Sequence, residues 1–212
     1  MTRILPGILA MAAIVVASNI LVQFLFGQWL TWGAFTYPVA FLVTDVMNRI
    51  HGPAAARRVV FAGFVVGVIC SLIGSRIMLG APGEEFAAVP LRVAVASGVA
   101  FLSAQLMDVA VFDRLRAGRW WRAPLASTLI GSALDTALFF TIAFSASITL
   151  FGAQADSAIN WAWEAVPFLG QGAALPLWVS LGFADWLVKL TLAVLALVPF
   201  RILVRKLSPH SA

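Results

Sequence analysis

Residues 36–58 read TYPVAFLVTDVMNRIHGPAAARR. The stretch opens as an apolar run of the kind that forms a helix in lipid. Asp45 interrupts it, Asn48 and Arg49 follow within about one turn, and Gly52-Pro53 breaks the run into a basic loop. A charged side chain inside a span costs roughly 2.5–3.5 kcal/mol on insertion scales. A chain that keeps such a cluster in so apolar a setting uses it, and the natural place for it is the interior of a helix bundle.

The composition around this stretch supports that reading. The 212 residues are 62% hydrophobic and 11% charged, with mean hydropathy +0.98. Soluble domains carry about 25% charged residues, so this chain is read as an all-α membrane protein with the bilayer as its solvent. A helical span takes about 20 apolar residues, which gives about six spans and one integral membrane domain over residues 1–212. The single cysteine, Cys70, excludes an intrachain disulfide and a cysteine-based metal site. No cofactor is implied. The net charge of +5 is distributed by membrane side and forms no patch, so a nucleic-acid partner is not expected.

The predicted spans cover residues 4–26, 32–48, 58–79, 88–112, 123–148 and 176–198. The first is too long for the apolar region of a signal peptide, and it carries Asn19 and Gln23 one turn apart. Small residues recur every four positions in the third (Gly63, Gly67, Ser71, Ser75), the fourth (Ala96, Ala100, Ala104, then Asp108) and the fifth (Ser127, Gly131, then Asp135). Such stripes let helices approach closely. The stripe on the third span suits packing within the bundle, and would also suit a homodimer. The APGEE turn follows that span, and residues 151–175 are expected to hold an interfacial turn of helix.

Basic residues set the orientation. With the N-terminus inside, the cytoplasmic side receives Arg3, Arg49, Arg57, Arg58, Arg114, Arg116, Arg119, Arg122, Arg201, Arg205 and Lys206. The opposite side and the span interiors receive Arg76, Arg92 and Lys189. Both termini are therefore expected in the cytoplasm. Most tryptophans fall near predicted interfaces. A faint internal repeat aligns VAFLVTDVMN (39–48) with VAFLSAQLMD (99–108), matching Asp45-x-x-Asn48 to Gln105-x-x-Asp108. Transporters often place their sites at a repeat interface.

The intramembrane acids differ in their local partners. Asp45 precedes Arg49 by four residues and Asp185 precedes Lys189 by four, the favourable helical pairing. Each pair then reads as self-neutralised. Asp108 and Asp135 have no base one turn away on their own helices. Each is either held neutral, or finds a partner across the bundle, or meets substrate. Asp135, near mid-depth, is the sharper substrate candidate. Asn19 and Gln23 are interhelical contacts or substrate contacts, and Trp186 offers a platform for a flat ring. HExxH, G-x-S-x-G and P-loop patterns are absent. The only histidines are His51 and His210, and the YD and GxGD motifs of intramembrane aspartyl proteases are missing. The chain is not expected to be an enzyme.

Residues 31–64, 104–144 and 185–204 together closely resemble the bacterial queuosine precursor transporters, first labelled putative vitamin uptake transporters. The specific motifs are TD-x-x-x-R-I-x-G-x-x-x-A-R-R, starting at Thr44, and RWW-x-AP-x-AST-x-x-G-x-x-x-DT, starting at Arg119. The likeness is weakest over 152–176, and many relatives carry a glutamate where Arg49 stands. The resemblance implies import of 7-cyano-7-deazaguanine, and the 7-aminomethyl analogue, across the bacterial inner membrane for salvage into tRNA modification. It also implies a six-helix fold similar to the substrate-binding subunits of energy-coupling-factor vitamin transporters. The alternative is such a subunit itself, dependent on an ATPase module, and Ala13-x-x-x-Ala17 is similar to the contact motif of those subunits. A deazaguanine is flat, with donors at N1 and the 2-amino group and an acceptor at O6. A carboxylate can take both donors, an amide can serve O6 and an aromatic ring can cover the face. Asp45 or Asp135, with Asn48, Gln105 or Asn19, and Phe41, Phe35 or Trp186, would supply that set. Asp108, Asp185 and Lys189 complete the candidates.

Overall fold

The computed structural model describes residues 2–22, 24–80 and 85–207. Gln23, His210 and residues 81–84 of the APGEE turn lie outside the described residues. Helix α1 (Leu5–Leu21) follows a 3-10 turn at Thr2–Ile4 and tolerates Pro6 in its first turn, where no helical partner is lost. It ends earlier than the hydropathy implies. Leu25–Phe26 (β1) pair antiparallel with Leu30–Thr31 (β2), and Gly27 turns the hairpin at φ +69°.

The second predicted span is two helices, α2 (Gly33–Thr36) and α3 (Val39–His51). Pro38 has no N–H to donate, and i→i+3 bonds close the break, from Ala40 N–H to the Tyr37 carbonyl (3.0 Å) and from Phe41 N–H to the Pro38 carbonyl (3.2 Å). Gly52, at φ +83°, ends α3, and Pro53 opens α4 (Pro53–Gly74). Hairpin β3 (Met78–Leu79)/β4 (Phe86–Ala87) leads to α5 (Leu91–Leu115). A basic loop, 116–121, joins it to α6 (Arg122–Phe144). The next connection holds α7 (Ala153–Ser157), two 3-10 turns and the hairpin of β5 (Ala165–Pro167) with β6 (Ala174–Pro176). Helix α8 (Leu177–Leu207) runs through Pro199, past the expected end.

Helices α4, α5, α6 and α8 are each long and apolar enough to cross a bilayer, and α1 is a shorter apolar helix. Short connections make successive helices antiparallel neighbours, so the hairpins gather at one end of the bundle and the Gly52 turn and the basic 116–121 loop at the other; the basic loop expected after Gly52-Pro53 is instead the start of α4, which carries Arg57 and Arg58. The small-residue stripes are used inside the chain. A Cβ on Gly63 would meet Met11 Cγ at 2.5 Å, so the α4 stripe seats α1. One at Gly131 would lie 3.2 Å from the Ala104 carbonyl and 3.4 Å from Asp108 Cβ, which brings α5 and α6 together at their stripes. At the hairpin end, Arg92 is fully buried. It donates to the carbonyls of Ile142 (2.8 Å) and Ser145 (2.5 Å) and pairs with Asp156 at 2.7 Å, fastening α7 to the α5–α6 pair.

Candidate substrate site

Most of the buried polar side chains fall into two centres, at different depths, with Arg92, Ser18 and Ser180 outside both. The inner one lies nearer the basic loops. Phe41, Thr44, Asp45 and Asn48 recur at i, i+3, i+4 and i+7 on α3, which puts them on one buried face. That face meets α5 at Gln105 and Asp108, one turn apart, and α6 at Ser127 and Thr128. Ser127 and Thr128 donate to the two carboxylate oxygens of Asp45 at 3.1 and 3.2 Å. Thr44 donates to Gln105 Oε1 at 2.5 Å, and Asn48 Nδ2 donates to the Val109 carbonyl at 3.0 Å. Asp108 lies within hydrogen-bonding reach of Asp45. The aligned segments 39–48 and 99–108 thus pack on one another.

The rest of this centre is unmatched. Both oxygens of Asp108, Nε2 of Gln105 and Oδ1 of Asn48 are buried and complete no hydrogen bond, although Ser127 and Asp45 stand beside Asp108. Leaving such a group unpaired costs about 1–3 kcal/mol, and native proteins carry few of them. Nor is there a base among the described residues. The expected Asp45–Arg49 pairing does not form: Arg49 Nη1 turns away to the Arg116 carbonyl at 2.6 Å. The physical reason is that a long cationic side chain near a helix end reaches for the free carbonyls beyond it. Two unit charges about 4 Å apart repel by about 4 kcal/mol even at an effective dielectric of 20. Two ionised acids here would have hydroxyls but no cation among the described residues to offset that repulsion.

The middle centre is the opposite case. Asp135 lies seven residues beyond Thr128 on α6, roughly 10 Å further along the axis. Lys189 on α8 bridges Asp135 at 2.7 Å and Asp185 at 2.5 Å, and also donates to Thr136 at 3.1 Å. Thr136 donates to Asp185 at 2.9 Å. The Tyr37 ring stands 5.8 Å from the ammonium. The expected Asp185–Lys189 pair is present, and Asp135 has the cross-bundle partner left open by its sequence.

Phe41 joins the inner centre: its Cε1 would be 2.8 Å from a Cβ on Gly131. With Asp45, Thr128 and the α8 residues Leu192, Ala193 and Phe200 it lines a cavity of about 10 Å³, room for about one water. Trp186 faces elsewhere. It lines a surface groove of about 300 Å³ between α6 and α8, with Phe140, Gly182 and Phe183, and its indole N–H has no partner. Asn19 donates to the Val15 carbonyl of its own helix at 2.8 Å and joins neither centre. Thr44, Thr128, Thr136 and Tyr37 were not singled out by the sequence. The AST run of the second motif, and the chain's single tyrosine beside an intramembrane proline, were the available signals.

Residues 31–204 match the family model described as "Putative vitamin uptake transporter". The chain is 40% identical over 151 residues to the queuosine precursor transporter of Escherichia coli (strain K12), covering 66% of this chain and 68% of that one. It is 35% identical over 176 residues to a probable queuosine precursor transporter of Haemophilus influenzae, covering 80% of this chain and 66% of that one. A third relative, a probable queuosine precursor transporter of Bacillus subtilis, is 31% identical over 135 residues, covering 57% of this chain and 58% of that one. The chain spans about two thirds or less of the length of these curated relatives. No solved structure matches it. The chain belongs to the putative vitamin uptake transporter family and is a multi-pass transporter-family protein of the bacterial inner membrane.

Proposed function

We propose that this protein imports queuosine precursors, 7-cyano-7-deazaguanine and its 7-aminomethyl form, across the cytoplasmic membrane. The reading takes α1, α2–α3, α4, α5, α6 and α8 as six spans of one domain, with the basic loops and both termini in the cytoplasm. It treats the protein as a carrier that leaves its substrate chemically unchanged. The named relatives supply the substrate class.

The observation that carries the reading is the set of unpaired buried groups at the inner centre. Asp108 offers two free carboxylate oxygens, Asn48 a free amide oxygen and Gln105 a free amide nitrogen. A deazaguanine presents the complement: N1–H and the 2-amino group for the carboxylate, and O6 for the Gln105 N–H. Phe41, meeting Asp108 at Gly131, covers the ring. Binding would remove the desolvation cost that the free centre bears. The water-sized space beside Phe41 is too small for a bicyclic ring, so loading requires α8 to move away from α3 and α6. Its wall there is apolar (Leu192, Ala193, Ala196, Leu197, Phe200), and Pro199 breaks its backbone ladder nearby. Rocking of helices around a fixed site is the usual route to alternating access.

The test is uptake of labelled 7-cyano-7-deazaguanine by liposomes containing this protein alone. Saturable uptake, competed by the 7-aminomethyl form, is the expected result. Binding without uptake would favour the alternative, a substrate-binding subunit similar to those of energy-coupling-factor transporters, for which the exposed Ala13 on α1 offers a contact face. A chemically altered product would point to an enzyme instead.

A further inference from the structure

Recognition of the ring edge leaves two acceptors of the inner centre unused. Asp45 is 3% exposed, and its two oxygens accept hydrogen bonds from Ser127 at 3.1 Å and Thr128 at 3.2 Å. One turn on along the same buried face, Asn48 gives its side-chain N–H to the Val109 carbonyl and keeps Oδ1 buried and unpaired. Asp108 and Gln105 are taken by N1–H, the 2-amino group and O6 of the ring.

No cation among the described residues answers Asp45. On α3, Arg49 is turned to the Arg116 carbonyl, and Arg116 itself pairs with Asp113. On α8, Lys189 is held by Asp135 and Asp185, and the wall facing Asp45 is Leu192, Ala193 and Phe200. Arg92 is committed to Asp156 at the hairpin end. A buried acid without a cation is costly to the fold. Two acceptors a turn apart, one of them an acid, call for a ligand group that carries positive charge and several N–H donors.

Size selects the group. The space that Asp45 lines with Phe41 and Thr128 is about 10 Å³, room for about one water. An ammonium has that size and three donors, whereas a guanidinium is a broad planar fork. In a deazaguanine, carbons 6 and 7 flank the same ring-fusion carbon, so a 7-substituent leaves the ring from the edge that bears O6. With O6 on Gln105 Nε2, that edge lies against an amide whose oxygen takes the Thr44 hydroxyl at 2.5 Å, and Asp45 is the next residue on α3. We propose that Asp45 and Asn48 form a subsite for a primary ammonium, and that this subsite makes the 7-aminomethyl precursor the preferred ligand over the 7-cyano form. This rests on the reading that Asp108 and Gln105 receive the ring. A primary alkylamine is protonated at neutral pH, as the lysine side chain is, and pairs with the Asp45 carboxylate while a second N–H reaches Asn48 Oδ1. The nitrile has no donor to give and sets its own acceptor against two others, which is discrimination by an unfavourable contact.

The test is equilibrium binding to the purified full chain of three 7-deazaguanines, with aminomethyl, cyano or trimethylammoniomethyl at carbon 7. The wild type is expected to bind the aminomethyl form roughly 10–100-fold more tightly than the cyano form. The trimethylated compound keeps the charge, loses every N–H of the ammonium and outgrows the water-sized space, so it should bind more weakly than the aminomethyl form by a similar factor. Asp45→Asn removes the charge at nearly constant shape and is expected to close most of the gap between the aminomethyl and cyano forms. Equal wild-type affinities for those two, a trimethylated compound bound as tightly as the primary amine, or an undiminished preference in Asp45→Asn would each overturn the subsite. The wild-type comparisons decide it even if Asp45→Asn fails to fold. Tight binding of the cyano form with no preference for the amine overturns the subsite and leaves the import reading standing. A wild type that binds none of the three overturns both.

Discussion

The middle and inner centres hold the same side chain, aspartate, in similarly buried surroundings, and treat it in opposite ways. Asp135 and Asp185 share the ammonium of Lys189 and the hydroxyl of Thr136. Asp45 accepts from two hydroxyls and meets no cation among the described residues, and neither oxygen of Asp108 completes a hydrogen bond. An acid whose charge is met within the fold has little left to offer a ligand. An acid left unmatched in a bilayer destabilises the fold unless something else satisfies it. On the proposed reading, the middle centre holds the bundle together and the inner one recognises the precursor.

The largest expected effect tests the structural half of that division. Lys189→Ala leaves two acids facing one another in the bundle, and breaking a buried pair costs about 3–5 kcal/mol. The level of folded protein in the membrane should collapse, and adding Asp135→Asn and Asp185→Asn should restore most of it. A Lys189→Ala protein that is abundant yet inactive would move Lys189 into the transport site.

The functional half is sharpened by Asp108→Asn. Hydrogen bonds to a charged group contribute about 1.5–3 kcal/mol each, so precursor binding should weaken roughly 10–100-fold while the membrane level stays near normal. Asp135→Asn leaves Lys189 with Asp185 and should reduce binding less. Gly131→Ala comes next. Its methyl would press on the Phe41 ring and on the rigid Ala104 carbonyl, an overpacking cost of about 1–3 kcal/mol, so both thermal stability and uptake should fall. Gly63→Ala should have a smaller effect in a thermal-shift measurement, because the atom it meets first belongs to Met11, an adaptable side chain, with the Phe101 ring next at 3.2 Å.

Much of this was legible in the sequence, for identifiable reasons. Hydropathy and basic residues located the long helices, and the four-residue stripes marked Gly131 as a close helix contact without naming its partner, which is α5. The second span was read as one helix because hydropathy does not register the N–H that Pro38 lacks. Residues 24–26 were read as helix because apolar residues at an interface look the same in a hairpin. Spacing along one helix revealed the Asp185–Lys189 pair but could not show Lys189 reaching Asp135 on another. The same rule misjudged Asp45 and Arg49, since it ignores the pull of loop carbonyls on an arginine at a helix end. Arg92, expected only on the opposite side or within a span, is the buried clamp of the hairpin end.

The most direct test of the central claim is calorimetric titration of 7-cyano-7-deazaguanine into the purified wild-type protein and into Asp108→Asn and Asp135→Asn. Saturable binding by the wild type, lost mainly in Asp108→Asn, is the expected result. Binding that survives Asp108→Asn unchanged and vanishes in Asp135→Asn would contradict the account and put the site at the middle centre.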